Sequence, residues 1–331
     1  SSAASDVYKR QDAFSYANQL GQRQGAGVVY LSLFHPDIME FLSTKKENAD
    51  EKIRVKTLSL GVTVPDKFYE LVKKGETMYL FEPYFVEKYY GKPFAEVDIT
   101  AEYDKMVVNP EIRKTPINAR ELEQELSKLQ QESGYPYIVN VDTVNQANPV
   151  DGVISMSNLC SEILQVQTPS VLNDDQTYKV VGTDVACNLG STNVLNMMTS
   201  SNEFGTSIEA MVRALTFISE TSNLDTVPTV RKGNDEMHAI GLGAMGLHSF
   251  LAQNQIHYDS KEAVEFTSVY FMLLNYYTLV ASNKLAVEKG SSFKNFEKSA
   301  YADGSYFDKY LTHDYLSLIH ISEPTRRRGI S

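Results

Sequence analysis

Short apolar runs alternate with amphipathic segments along most of this chain. The run VVYLSLF at residues 28–34 ends at the turn-like sequence HPD, which predicts a buried strand leading into a helix. Leu122, Leu126 and Leu129 recur at helical spacing, and Gly134 ends that segment. The alternation of strands and helices predicts an α/β fold, with a parallel sheet or barrel and helices outside it. The predicted strands cover 28–34, 57–64 and 135–141, and the predicted helices cover 38–45, 66–74, 118–132, 207–221 and 260–289.

The two ends of the chain differ from the rest. Residues 1–11 (SSAASDVYKRQ) and 316–326 (LSLIHISEPTR) resemble the translations of two partner adapters used in sequencing libraries. We therefore expect residues 1–11 and 316–331 to be adapter-derived tails that make few contacts with the core. Residues 12–315 are then expected to hold the domain itself.

Composition limits the kind of protein. With 42% hydrophobic and 22% charged residues the chain can bury a sizeable core. Its net charge of −11 argues against nucleic acid or an anionic membrane as a bulk partner, although a nucleotide needs only a local cluster of donors. No apolar run is long enough to span a membrane. The 2 cysteines are far apart and the histidines lack metal spacing, which predicts no metal site and suits a reducing cytoplasm.

Asn158, Cys160 and Glu162 alternate along an irregular segment at residues 153–167 that predicts a loop. If this segment is extended, the three side chains point to one face, so that an amide, a thiol and a carboxylate converge on one pocket. That set can donate hydrogen bonds, exchange a proton and present sulfur chemistry to a small molecule. By composition alone a structural cysteine is favoured, because free cysteine is among the most buried residue types.

The sequence GLGAMG at residues 241–246 fits the dinucleotide-binding pattern GxGxxG. That pattern requires a preceding strand and a following helix, with an acidic residue some 20 positions on, a role that Glu262 or Glu265 could fill. The preceding RKGNDEMHA is polar rather than strand-like. We therefore expect these glycines to serve close backbone packing instead.

Five motifs resemble, in order, signatures of the large subunit of ribonucleotide reductase. They are RQGAGVVY at 23–30, HPDIMEFLSTK at 35–45, YPYIVNVDTVNQANP at 135–149, SNLCSEI at 157–163 and CNLGST at 187–192. Five ordered motifs are far more specific than any single one. The sequence around them, including KIRVKTLSLGVTVPDKFYELV, is most similar to the class Ib bacterial form, and the resemblance extends across 12–315.

The resemblance implies that residues 12–315 are part of the ten-stranded α/β barrel of that family, with the radical cysteine on a loop inside the barrel. Cys160 matches the cysteine that becomes a thiyl radical and removes the 3′ hydrogen of the substrate ribose. Glu162 matches the carboxylate that takes the 3′ hydroxyl proton, and Asn158 matches the amide that holds the substrate hydroxyl. Cys187 matches one member of the redox pair that ends as a disulfide, and its partner is absent from this chain. The predicted substrate contacts are Asn158, Leu159, Cys160, Ser161 and Glu162.

The glycine-rich segment 21–27 resembles the specificity loop, which senses the effector nucleotide and contacts the substrate base. Gln22, Arg23 and Gln24 are the loop residues that the resemblance assigns. Arg23 is the expected base contact, because a planar guanidinium suits recognition of a planar base. An ordinary glycine-rich turn with a solvated arginine is the alternative.

The resemblance also implies partners and cofactors. A separate small (β) subunit with a dimetal centre, of manganese or iron, would supply the radical, and this chain would bind no cofactor of its own. A glutaredoxin-like or thioredoxin-like protein would reduce the redox pair, and dNTPs or ATP would act as effectors. The large subunit would be a cytoplasmic homodimer that acts on ribonucleoside diphosphates.

The implied activity is radical-based reduction of ribonucleoside diphosphates to 2′-deoxyribonucleoside diphosphates. The chain by itself is expected to be inactive, since it resembles the family without the upstream cysteine, the radical-relay tyrosines and the C-terminal thiol pair. Two alternatives stay open: a noncatalytic α/β protein that binds a nucleotide through its glycine-rich segments, and a cobalamin-dependent class II reductase of the same barrel family. An upstream cysteine and a downstream tyrosine pair in the flanking gene would favour the ribonucleotide reductase interpretation over the noncatalytic one.

Overall fold

The computed structural model describes residues 3–17, 24–48, 55–186, 188–201 and 203–311. The chain divides into two compact units. Unit 1 comprises Ser1–Asn148 and Gly152–Val166, and unit 2 comprises Pro149–Asp151 and Gln167–Ser331.

Unit 1 is a mixed α/β unit built on a parallel sheet. Its strands are β1 (Val28–Ser32), β2 (Ser59–Val64), β3 (Thr77–Phe81), β4 (Lys114–Asn118) and β5 (Tyr137–Asn140). Its helices are α1 (Ala3–Tyr16), α2 (Ile38–Ser43), α3 (Asp66–Lys74), α4 (Pro83–Tyr90), α5 (Ile99–Val108), α6 (Ala119–Ser133) and α7 (Val141–Ala147). Strand β2 lies between β1 and β5 and is parallel to both, whereas β3 and β4 form an antiparallel pair.

The two faces of the parallel sheet differ in chemistry. Leu60, Val62 and Val64 of β2 lie on one face and belong to the hydrophobic core of unit 1. Ser59 and Gly61 alternate with them and therefore lie on the opposite face, since successive strand residues point to opposite sides. That second face carries the candidate site.

Local signals fix the ends of the helices. The Asn118 side chain accepts hydrogen bonds from the backbone N–H groups of Arg120 and Glu121, which caps the start of α6. Gly134 ends the same helix in a left-handed conformation with φ of 76°. The predicted helix over 118–132 is therefore confirmed, and Gly134 ends it as expected.

The structure overturns one expectation about the start of the chain. Residues 3–11 are part of α1, and Val7 is only 1% exposed within the core of unit 1. The Gln11 side chain accepts hydrogen bonds from the backbone N–H groups of Lys56 and Thr57. The expectation that residues 1–11 make few contacts is wrong, because helix α1 places the Val7 side chain in the core and Gln11 against the backbone of residues 56 and 57. Residues 316–331 lie outside the described part of the chain.

Unit 2 is also mixed. Its strands are β6 (Val171–Leu172), β7 (Tyr178–Val180), β8 (Leu189–Asn193) and β9 (Gly241–Met245). Its helices are α8 (Val194–Thr199), α9 (Phe204–Thr221), α10 (Pro228–Met237), α11 (Leu247–Gln253), α12 (Lys261–Lys289) and α13 (Asp308–Leu311). Strands β6 and β7 form an antiparallel hairpin, and β8 pairs with β9 in parallel.

Helices α9 and α12 supply the core of unit 2. The rings of Phe204 and Tyr270 meet edge to face at 5.5 Å between centroids, beside buried Ile208. Outside this core, the Arg213 guanidinium bridges Glu209 of its own helix and Glu288 of α12. The apolar contacts remove hydrophobic surface from water and therefore stabilise the unit. The ion pairs lie at the surface, where such pairs add little to stability.

The predicted α/β class is confirmed, as are the predicted strands and helices, whose observed bounds differ by a few residues. Within the described residues, no helix is long and apolar enough to cross a bilayer.

Candidate functional site

A closed turn at residues 157–163, here called the cysteine turn, presents Cys160. The Ser157 hydroxyl is buried and donates a hydrogen bond of 2.7 Å to the Ile163 carbonyl oxygen, which joins the two ends of the turn. Cys160 lies between them as a free, exposed thiol. The prediction that this segment is a loop is confirmed.

The backbone of the turn is tightly bent. The Ser161 N–H donates to the Asn158 carbonyl oxygen at 3.2 Å, and Ser161 has φ of 66°. This left-handed conformation is uncommon for a residue other than glycine, and such residues often occur at functional sites. Here it reverses the chain direction within the turn, between Asn158 and Ile163.

The Asn158 side chain stabilises that bend. Its Oδ1 accepts hydrogen bonds from the N–H groups of Glu162 at 3.1 Å and Ile163 at 3.0 Å. Because two N–H donors require an acceptor, the amide oxygen must face the backbone, and Nδ2 points the other way. No described residue accepts a hydrogen bond from Nδ2, so this donor is available to a ligand.

This geometry corrects the expectation of an extended segment. The side chains of Asn158, Cys160 and Glu162 do not alternate along a strand, because Asn158 is folded back onto the N–H of Glu162. Cys160 and Glu162 are both exposed on the turn. The turn thus offers a thiol, a carboxylate and an amide donor within five positions, through a bend rather than through strand periodicity.

The sheet face beside the turn carries a row of aromatic residues around a glycine. Tyr30 of β1 and Tyr137 of β5 are both register partners of Gly61 in β2. The Tyr30 hydroxyl donates to the Asn158 carbonyl oxygen at 3.1 Å. The cysteine turn is therefore attached to this face of the sheet.

A third tyrosine, Tyr135, lies beside Tyr137. The rings of Tyr135 and Tyr137 lie 5.2 Å apart, and the Ser59 hydroxyl donates to the Tyr135 oxygen at 3.1 Å. Burial raises the pKa of Tyr137, and its hydrogen bond to Tyr135, the charge of Tyr135 and the charge of Cys160 raise that pKa further. The effect of Cys160 on Tyr137 indicates that the cysteine turn lies near this phenol.

Sequence reasoning missed Tyr30 and Gly61 as parts of this site. A signal for Gly61 does exist, because a glycine in the interior of an apolar strand often marks a place where another group approaches closely. No such signal distinguishes Tyr30, since tyrosine is common in strands for packing reasons alone.

Three predicted site residues lie outside the described part of the chain. They are Cys187, Gln22 and Arg23, and their roles stay predictions. Gln24 of the predicted specificity loop is described and is exposed.

The GLGAMG segment does not have the architecture of a dinucleotide-binding loop. Residues Gly241–Met245 form β9 itself, and helix α10 rather than a strand precedes them. A Cβ atom on Gly241 would lie 2.3 Å from Cδ2 of Leu189 on the neighbouring strand. Gly241 thus leaves room for the Leu189 side chain, and the expectation that these glycines serve close backbone packing stays a prediction.

A separate cleft of about 540 Å³ in unit 1 is lined by Asp66, Lys92, Asp98, Asn145 and other residues. In its wall the Asp142 carboxylate accepts hydrogen bonds from the Asp66 N–H and the Thr100 hydroxyl. These contacts join the start of α3 to its neighbours, which gives the Asp142 carboxylate a structural role. In the part of the chain that the structure describes, no group of three or more His, Cys, Asp or Glu side chains could hold a metal ion.

Comparison with known proteins identifies the family. The model of the family described as ribonucleotide reductase, barrel domain, matches residues 6–329. This chain therefore belongs to the ribonucleotide reductase barrel-domain family. The match includes parts of both terminal segments, whose origin stays a prediction, as do the domain bounds 12–315.

Three curated relatives carry one name, ribonucleoside-diphosphate reductase subunit alpha. The protein of Mycoplasma pneumoniae is 54% identical over 301 residues, covering 91% of this chain and 42% of the relative. That of Mycoplasma genitalium is 53% identical over 300 residues, with the same coverage. That of Bacillus subtilis is 46% identical over 306 residues, covering 92% of this chain and 44% of the relative. The chain thus spans less than half the length of these relatives.

Proposed function

We propose that this chain is a portion of a ribonucleoside-diphosphate reductase α subunit, which reduces ribonucleoside diphosphates to 2′-deoxyribonucleoside diphosphates. The observation that carries the proposal is the cysteine turn, in which an exposed free thiol and an exposed carboxylate are two residues apart in a chain of this family. The names of the relatives support the same activity.

Cys160 and Glu162 would begin the reaction together. A thiyl radical on Cys160 takes the hydrogen atom from C3′ of the ribose and becomes a thiol. Glu162 takes the proton of the 3′ hydroxyl, which eases departure of the 2′ hydroxyl, a use of general base catalysis. A thiol of the redox pair gives the proton with which the 2′ hydroxyl leaves as water. Asn158 would hold the substrate hydroxyl through Nδ2, the donor that its backbone contacts leave available.

Cys187 would supply reducing electrons. Replacing the 2′ hydroxyl by hydrogen requires two electrons, which a pair of thiols provides when it becomes a disulfide. The hydrogen on Cys160 then returns to C3′, so that the thiyl radical is regenerated and acts as a catalyst. This scheme needs three thiols, whereas the chain contains 2 cysteines. We therefore expect the 331-residue chain to be inactive by itself.

The name subunit alpha in the relatives supports a β-subunit partner that supplies the radical. A manganese or iron centre in that partner, a glutaredoxin-like or thioredoxin-like reductant, nucleotide effectors, a homodimer and a cytoplasmic location are parts of the same proposal. So is a position of the turn inside a ten-stranded barrel, where exclusion of water would protect the radical. The alpha names favour this scheme over a cobalamin-dependent reductase.

The test is turnover in a full-length α subunit that carries residues 12–315 of this chain. With a β subunit, a dithiol reductant and a ribonucleoside diphosphate, we expect deoxynucleotide formation that Cys160→Ser abolishes. Met156→Leu, at an exposed residue outside the cysteine turn, is the matched control and should retain activity. Full turnover by the Cys160 variant would refute the proposal.

A further inference from the structure

A hydrogen bond joins the cysteine turn to strand β1. The Tyr30 hydroxyl donates to the Asn158 carbonyl oxygen, and these residues are 128 positions apart in the chain. The same carbonyl accepts the Ser161 N–H, so both of its lone pairs are engaged. Bonds within the turn give it its shape, whereas the bond from Tyr30 ties that shape to the sheet.

Tyr30 reaches the turn by lying across Gly61. A Cβ atom on Gly61 would lie 2.2 Å from Cε1 of Tyr30 and 2.4 Å from Cδ1, which is closer than real atoms approach. Any side chain at position 61 must therefore displace the ring. Glycine weakens the interior of a strand, and its position between buried Leu60 and Val62 has a physical reason in this close approach.

A second ring lies opposite Gly61, on the neighbouring strand β5. Gly61 pairs with Tyr137, and Tyr137 is the phenol that Cys160 influences. A shift of the turn on the sheet would therefore change the surroundings of the Cys160 sulfur. Hydrogen atom transfer is sensitive to such shifts, because misplacement by about 1 Å can cost on the order of a hundredfold in rate.

We propose that Tyr30 is a positioning residue that holds the cysteine turn, and with it Cys160, in place for hydrogen atom transfer. Gly61, which has no side chain, leaves the space that the Tyr30 ring occupies. The inference rests on the proposed function for its chemical meaning, although the contact itself can be tested without turnover. Tyr30 acts through the Asn158 backbone and does not touch the reacting atoms.

The first experiment measures backbone hydrogen exchange in the complete 331-residue chain. Tyr30→Phe keeps the ring and removes the hydroxyl, and we expect exchange at Ser161, Glu162 and Ile163 to become about five to ten times faster, as befits loss of one hydrogen bond. Tyr90→Phe is the matched control, because the Tyr90 hydroxyl bonds to Glu102 away from the turn. Unchanged exchange at the three amides in Tyr30→Phe would overturn the proposal.

The second experiment measures turnover in the full-length α subunit with its β subunit. In Tyr30→Phe we expect kcat to fall about tenfold with little change in KM, and the isotope effect of 3′-deuterated substrate to rise, because hydrogen transfer becomes slower. A mere loss of folded enzyme would lower kcat without changing the isotope effect, and that result would contradict a positioning role. If the unaltered subunit shows no reductase activity while Tyr30→Phe speeds exchange, the proposed function fails and the positioning contact stands.

The role of Gly61 in leaving space for the Tyr30 ring has its own test. Gly61→Ala should speed exchange at the same three amides, and the double variant with Tyr30→Phe should be little faster than either single variant, since both changes break one contact. Fully additive effects would show that Gly61 acts independently of Tyr30. Should Gly61→Ala fail to fold, the exchange rates of Tyr30→Phe alone decide the proposal.

Discussion

The Asn158 amide oxygen accepts a hydrogen bond from the Ile163 N–H at 3.0 Å, five positions further along the chain. This contact places a residue with a predicted substrate role inside the structure that forms the turn. Asn158 thus has two faces: Oδ1 holds the backbone, and Nδ2 is available to a ligand.

The two faces of Asn158 can be separated by substitution. Asn158→Ala removes the acceptor for two backbone N–H groups, and we expect the free energy of unfolding to fall by about 1–3 kcal/mol. Asn158→Asp keeps an acceptor and should lose less than half of that amount, while in a full-length subunit it should lose substrate binding because the donor is gone. Urea unfolding followed by circular dichroism measures the first effect. Equal destabilisation by both variants would show that Oδ1 does not stabilise the turn.

His35 gives the chain a pH dependence of known sign. Burial lowers the pKa of His35 from its ordinary 6.5, although Asp37 and Glu82 nearby raise that pKa in part. The unfolded state then binds more protons than the folded state between the lowered pKa and 6.5, so stability present above pH 6.5 is lost as the pH falls. His35→Asn, which keeps an acceptor for the Asp37 N–H, should flatten this decline.

The measurement is the free energy of unfolding of the chain and of His35→Asn from pH 7.5 down to about pH 5, where histidine titrates. His257→Asn, at an exposed histidine, serves as the control and should decline as the unaltered chain does. An identical decline in all three proteins would mean that His35 does not contribute.

Removal of residues 1–11, or of the Val7 side chain alone, tests whether the start of the chain stabilises unit 1. Its side chain is 1% exposed, and burying a valine contributes about 1.5–3 kcal/mol. Removing residues 1–11 should therefore lower the free energy of unfolding by at least about 1.5 kcal/mol, and Val7→Ala should account for about half of the loss. Thermal unfolding of the three proteins provides the comparison. If removal leaves stability unchanged, the segment behaves as an added tail despite its contacts.

Periodicity predicted the main strands and helices because their signals are local. Residues 118–132 carried leucines at helical spacing, with Gly134 after them, and α6 uses both features. The antiparallel pair β3 and β4 was not predicted, because its pairing joins strands separated by two helices and depends on contacts distant in sequence.

The sequence named candidate residues for the site, and it predicted the wrong local geometry for them. Cys160 and Glu162 were identified by resemblance, but strand periodicity placed Asn158 on an extended face that does not exist. The bend depends on Ser161 adopting a conformation that serine rarely takes, which no residue pattern signals. The contact from Tyr30 spans 128 positions and could be found only in three dimensions.

The last prediction separates the two cysteines in a full-length α subunit. Cys160→Ser should leave the substrate intact, because an O–H bond is too strong for the hydroxyl to relay a radical as a thiol does. Cys187→Ser should still allow removal of the 3′ hydrogen and loss of the 2′ hydroxyl, since both steps precede reduction. Without a complete thiol pair the resulting ketone is not reduced, and it should decay with release of free base and slow inactivation of the enzyme.

The assay is release of free base from a labelled ribonucleoside diphosphate, with the β subunit and a reductant present. The unaltered subunit should form deoxynucleotide and release little base, Cys187→Ser should release base without deoxynucleotide, and Cys160→Ser should do neither. Such a pattern can arise only if Cys160 acts before Cys187, because base release requires hydrogen removal without reduction. Base release by the Cys160 variant, or normal deoxynucleotide formation by the Cys187 variant, would exchange or eliminate the roles proposed for the two thiols.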